Sequence, residues 1–103
     1  MNPFKDKRRL RQIAHHLTPV VTVADKGLSE PLIDETTRAL HDHELIKVKL
    51  NIGDRDDREQ IGTELAAATS AEIVQRIGKT LVLFKANPDA KPKLSNLSRH
   101  GLR

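Results

Sequence analysis

The sequence predicts one compact α/β domain with the element order α-β-α-β-α-β-β, a four-stranded mixed sheet packed with helices. Three observations lead there. Segments of helical and strand period alternate along the chain, its 103 residues suit one domain with one modest core, and the last two strand-like segments are only two residues apart.

The first element is a basic amphipathic helix from Phe4 to His15. Phe4, Leu10, Ile13, Ala14 and Leu17 share one helical face, and Lys7, Arg8 and Arg11 point away from it. Pro19 ends it, because a proline disfavours helical geometry at the residue before it, here Thr18. Val20 to Val23 then read as a short β-branched strand. Ala24-Asp25-Lys26-Gly27 forms a tight turn into a second helix, with Ser29 as N-cap and Pro31 in the first turn, where its missing N–H costs little. That helix is expected to run to Leu40 or His41 and to bury Leu32, Ile33, Thr36 and Leu40.

Leu45 to Ile52 alternates, with Ile46, Val48, Leu50 and Ile52 on one face and Lys47, Lys49 and Asn51 on a wet or ligand-bound face. Gly53-Asp54 breaks the strand, and the acids that follow suit the N-terminus of a third helix, whose buried stripe is read as Ile61, Leu65 and Ala68. Gly62 within that helix suggests close packing against a neighbour. Glu72 to Ile77 and Thr80 to Lys85 form an antiparallel hairpin whose two-residue loop, Gly78-Lys79, has the leading glycine of a type II′ turn. The domain is thus placed at 1–86, and 87–103, rich in Pro, Ser, Asn and Lys without periodicity, is expected to be a mobile basic tail.

Charge is distributed unevenly. Residues 1–15 hold five bases against one acid and residues 85–103 again five against one, while the body from 16 to 84 has eight bases and twelve acids, a net of −4. Basic ends around an acidic body point to an oriented face for a polyanion. The chain has no cysteine, which removes disulfides, thiolate nucleophiles and Cys-ligated zinc and fits a reducing cytoplasm. No apolar run reaches membrane-spanning length and the basic start lacks an apolar signal core, so no membrane association or export is expected.

Catalytic patterns are weak. Gly78-Lys79-Thr80 resembles the end of a Walker A loop, but Ile73 stands where its first glycine belongs and the context is strand to strand. His15-His16 and His41-Asp42-His43 lack the spacing of a metal motif, and Arg55-Asp56-Asp57-Arg58-Glu59 reads as a solvated helix start. A non-enzymatic protein without cofactor or metal is expected. Phe4 and Phe84 are the only aromatics, so bases cannot be stacked on paired rings and recognition would run through backbone and shape. A glycine turn feeding a helix N-terminus, as at Lys26-Gly27, can present N–H groups to phosphate.

Several stretches resemble the CRM domain family, most closely its stand-alone bacterial members of the YhbY type: Ala14-His15-His16-Leu17-Thr18-Pro19-Val20-Val21, Gly27-Leu28-Ser29-Glu30, Ala39-Leu40, His43-Glu44-Leu45-Ile46-Lys47-Val48, and Ile77-Gly78-Lys79-Thr80-Leu81-Val82-Leu83-Phe84. The resemblance covers about residues 4–86. It implies a fold similar to the carboxy-terminal domain of translation initiation factor three, RNA binding, and association with precursors of the large ribosomal subunit. The family's loop is GxxG, and here it reads Ala24-Asp25-Lys26-Gly27, so only its second glycine is kept.

The expected RNA contacts are Arg8, Arg9 and Arg11 on the first helix, Lys26 and Gly27 in the turn, Lys47 and Lys49 on the strand, and Gly78, Lys79 and Lys85 around the hairpin. The expected protein is a cytoplasmic, monomeric rRNA-binding factor in ribosome biogenesis. A protein-interaction adaptor on ribosomal particles is the alternative, and a DNA-binding helix the third reading.

Overall fold

The computed structural model describes residues 6–101; the expected helix start at Phe4 and the last two residues lie outside them. The elements are α1 (Lys7–His15), β1 (Pro19–Val23), α2 (Glu30–His43), β2 (Leu45–Leu50), α3 (Arg55–Thr69), β3 (Glu72–Ile77), β4 (Thr80–Phe84) and a short α4 (Asn96–Arg99). The first seven follow the expected order. No helix among the described residues is long and apolar enough to cross a membrane.

Helix starts follow from their caps. Asp6, Ser29 and Asp54 each accept a bond from the backbone N–H three residues on, which satisfies a donor that a helix N-terminus leaves free. Two ends use left-handed or related backbone: Glu44 at φ 63° closes α2, and Ser70 at φ 56° closes α3. α2 therefore extends to His43, past the expected Leu40 or His41.

The sheet order is β1-β2-β4-β3. β1 runs parallel to β2 through the α2 crossover, and β4 is antiparallel to both β2 and β3. Ile77 pairs with Thr80 across Gly78 and Lys79, and only Gly78 of the two has positive φ, as the type II′ turn requires.

Both faces of the sheet are used. On one, Val48, Leu50, Leu81 and Leu83 pack with Leu40 of α2 and Leu65 of α3. On the other, Leu45, Val82 and Phe84 pack with Leu10, Ile13 and Ala14 of α1 and with Leu97 of α4. The second face of β2 is thus dry at Leu45 and open only toward Lys49. The buried stripe of α3 is Gly62, Leu65, Ala66 and Thr69, and Ala68 is exposed. The stripe turns toward Gly62 because a Cβ there would meet Leu50 and Leu81 at 3.3–3.4 Å, so the bare backbone allows a close approach.

The segment after Ala86 departs most from expectation. Ser95, Asn96 and Leu97 are buried, and the segment folds back over the sheet end instead of trailing as a tail. Its polar composition hides this because the ties are individual bonds: Ser95 Oγ donates to Glu44 at 2.7 Å, Asn96 Nδ2 to the Leu45 carbonyl at 2.7 Å, and His43 Nδ1 meets the Leu94 carbonyl at 2.8 Å.

Candidate nucleic-acid interface

Helix α1 lies across only the Leu45–Phe84 end of its sheet face. Beyond its edge the sheet stays open, and a groove of about 200 Å³ forms there, lined by Arg11 and His15 of α1, Lys47 of β2, Gln75 and Ile77 of β3, and Thr80 of β4. A shallower groove of about 410 Å³ continues over α1 along Arg8, Arg11, Gln12, His15 and His16. Arg11 and His15 line both, and no carboxylate lines either.

Two kinds of residue meet on this face. Arg8, Arg11 and Lys49 are exposed and Lys47 is half-buried. Ile77 is 61% exposed and lines the groove beside these cations. Cations beside one exposed apolar side chain suit a ligand with an anionic backbone and a flat apolar part. Of Phe, Tyr and Trp, the described residues hold only Phe84, which is fully buried, so the rings lining this face among them are the imidazoles of His15 and His16.

The other expected site residues are distributed around this face. Arg9 lies on the opposite flank of α1, where its Nη2 donates to the His100 carbonyl at 3.2 Å. Beside it the rings of His16 and His100 stack at 6.5 Å. Lys79 is at the hairpin tip, tied to β2 by its carbonyl, which accepts from Leu50 N. Lys85 follows β4 at the far end of the sheet, about 20 Å along the strand from Lys79. Its N–H donates to the Glu44 carbonyl.

The turn has the backbone expected of it: Gly27 N donates to Ala24 O at 2.9 Å and Gly27 has φ +77°. Its neighbourhood is acidic, however. The adjoining groove is lined by Asp25, Asp57 and Glu64 together with Gln60 and Ile61. Lys26 and the α2 N-terminus therefore attract an anion against three nearby carboxylates, whereas the α1–sheet face opposes it with none.

Sequence reasoning did not place His15, Gln75, Ile77 or Thr80 at a site. A register shift between Ile73 and Gln75 sends Val74 and Gln75 to the same side, so simple alternation along β3 misassigns its second half. Among the described residues no group of three or more His, Cys, Asp or Glu is arranged to hold a metal ion.

These features define a small α/β domain with a cationic sheet face that, among the described residues, exposes no Phe, Tyr or Trp, a build suited to an anionic polymer. The chain belongs to the CRS1 / YhbY (CRM) domain family, whose sequence profile matches residues 3–85. It is 46% identical over 95 residues to a probable RNA-binding protein of Pseudomonas aeruginosa, covering 92% of this chain and 91% of that protein. It is 42% identical over 90 residues to an RNA-binding protein of Haemophilus influenzae, covering 87% and 91%. The solution structure of a Staphylococcus aureus hypothetical protein, described as an RNA-binding candidate, superposes with a TM-score of 0.74 at 33% identity, over 88% of this chain and 95% of that one.

Proposed function

We propose that the protein binds RNA on the α1–sheet face, with Arg8, Arg11, Lys47 and Lys49 holding phosphates and Ile77 meeting a ribose or base. The observation that carries this reading is the pair of continuous cationic grooves without a carboxylate in their lining. The RNA-binding relatives support the choice of RNA among anionic polymers. Lys26, Gly27, Gly78 and Lys79 widen the footprint at the sheet edge, while Arg9 works mainly by fixing α1 to the C-terminal segment. The biological ligand in this reading is rRNA in precursors of the large ribosomal subunit, bound in the cytoplasm by a monomer with no cofactor and no catalytic step.

Backbone-driven binding releases counterions, so log affinity for structured RNA falls linearly with log salt, by about 0.7–0.9 per phosphate neutralised. Titration of labelled RNA across a salt series measures this. Salt-independent binding, or none at about 50–100 mM salt, overturns the reading. Crosslinking in cells followed by sequencing of the attached RNA tests the ribosomal part, with large-subunit rRNA as the expected product.

A second reading draws on the acidic surface of α3, where Asp56, Glu59 and Glu64 line one open groove. A basic ribosomal protein docked there would make the chain an adaptor. Arg8→Glu, Arg11→Glu and Lys49→Glu together discriminate: loss of co-sedimentation with ribosomal particles supports RNA binding, and unchanged co-sedimentation after RNase treatment supports the adaptor.

A further inference from the structure

Across the hairpin from the α1–sheet face, the described residues form a second concave cationic site. Arg55 and Arg58 from the first turn of α3 and Arg76 from β3 surround a groove of about 310 Å³, with Gly78 and Thr80 also in its lining. None of the three is among the contacts expected from the sequence.

Two of the three guanidinium groups are oriented by neutral oxygens. Arg58 Nη1 donates to the Ile52 carbonyl at 2.9 Å. Arg76 Nη1 donates to the Glu59 carbonyl at 3.1 Å and its Nη2 to Thr63 Oγ1 at 2.7 Å. These bonds fix side-chain direction without cancelling charge. A guanidinium has five N–H donors, so both groups keep donors for a ligand. Glu59 supplies the single carboxylate of the lining, and it meets Arg55 through one 3.4 Å contact between largely exposed side chains. Asp54 caps the helix, accepting from Asp57 N, and Asp56 and Glu64 line the adjoining groove, which shares Glu59 and Arg76 with this one. Within the lining, three guanidiniums face one carboxylate, and two of the three are held in direction, which suits planar, forked recognition of phosphate.

Two further observations connect this groove to the first. Thr80 lines both. At the tip between them, the space where a Gly78 Cβ would stand has no neighbouring heavy atom within 4 Å, so a polynucleotide backbone can pass close over the turn beside Lys79.

We propose that the groove between Arg55, Arg58 and Arg76 is a second RNA phosphate subsite, occupied by a backbone that leaves the α1–sheet face and crosses the β3–β4 hairpin tip. This rests on the RNA-binding reading and adds a path to it.

The test is fluorescence anisotropy with a fluorescein-labelled RNA stem-loop carrying a single-stranded flank, titrated over a salt series. Wild type is compared with Arg55→Gln, Glu59→Gln and the pair Lys47→Gln/Lys49→Gln, with thermal melts confirming that each variant folds. Arg55→Gln should weaken binding and lower the log–log salt slope by about 0.7–0.9. Glu59→Gln should act in the opposite direction and tighten binding, because it removes the one carboxylate in the groove's lining. If both leave affinity and slope unchanged while the lysine pair weakens binding, the subsite is wrong and the RNA-binding reading stands. If wild type does not bind the RNA at all, both fall.

Discussion

Glu44 combines two costs in one residue: its backbone sits at φ 63°, where side chains are disfavoured, and its carboxyl group is fully buried. A sparsely populated backbone conformation costs about 1–3 kcal/mol and persists where surrounding bonds over-determine it. Here the Glu44 N–H donates to the Leu40 carbonyl at 2.8 Å, the carbonyl accepts from Lys85 N at 2.9 Å, and the carboxylate accepts from Asn87 N at 2.6 Å and Ser95 Oγ at 2.7 Å. Glu44→Ala keeps the backbone cost and loses the carboxylate bonds, whereas Glu44→Gly loses both. Urea unfolding should find each less stable than wild type, with the alanine variant below the glycine one by about 1 kcal/mol. Equal stabilities would show that the backbone stores no strain. The segment from His43 to Val48 is readable in sequence as a strand entry, and as the stretch that resembles relatives. The reason for glutamate there is not, because its side-chain partners lie 43 and 51 residues further on.

Element identity was legible because period and caps are local, and element orientation was legible only where the period is unbroken. β2 and β4 keep strict alternation through their shared register, so the sidedness of Lys47 and Lys49 followed directly from sequence. β3 does not: its register shift turns Gln75 and Ile77 to the α1 face and Arg76 to the α3 face, where Arg76 bonds Thr63 and the Glu59 carbonyl. A one-residue bulge carries no compositional mark in this strand, and both grooves depend on it. α3 shows the complementary case, since Gly62 did signal close packing. Leu50, Leu81 and Arg76 already crowd the position a Cβ would take. Gly62→Leu should therefore force α3 off the sheet and destabilise the domain by about 1–3 kcal/mol, as overpacking does. A thermal melt reads this, and an unchanged midpoint would mean that the helix can shift freely.

At the scale of the molecule, the basic–acidic–basic order of the chain becomes a polarity across the sheet. α1 and the C-terminal segment, the two basic ends, pack in one apolar cluster on the same face through Leu10 and Leu97, while the acid-rich α2 and α3 cover the other. The charge pattern was visible in sequence; that both ends share a face was not, because it depends on Leu97 and on the bonds to Glu44, both hidden in a segment that reads as a tail. This packing makes the C-terminal segment a brace for α1, through Leu97 beneath the helix and the Arg9–His100 bond beside it. Leu97→Ala and truncation after Ala86 separate the brace from its charge. Leu97→Ala keeps every base and should cost about 2–5 kcal/mol of stability by leaving a cavity under α1. RNA affinity should then fall only as far as α1 loosens, with the salt slope near wild type, because no phosphate partner is removed. Truncation removes Lys91, Lys93, Arg99 and Arg103 as well, so it should lower stability at least as much and, if those bases reach the RNA, the salt slope too. Urea unfolding and salt-series titration of the two variants measure both quantities, and a truncated chain as stable as wild type would show that residues 87–103 do not brace the helix.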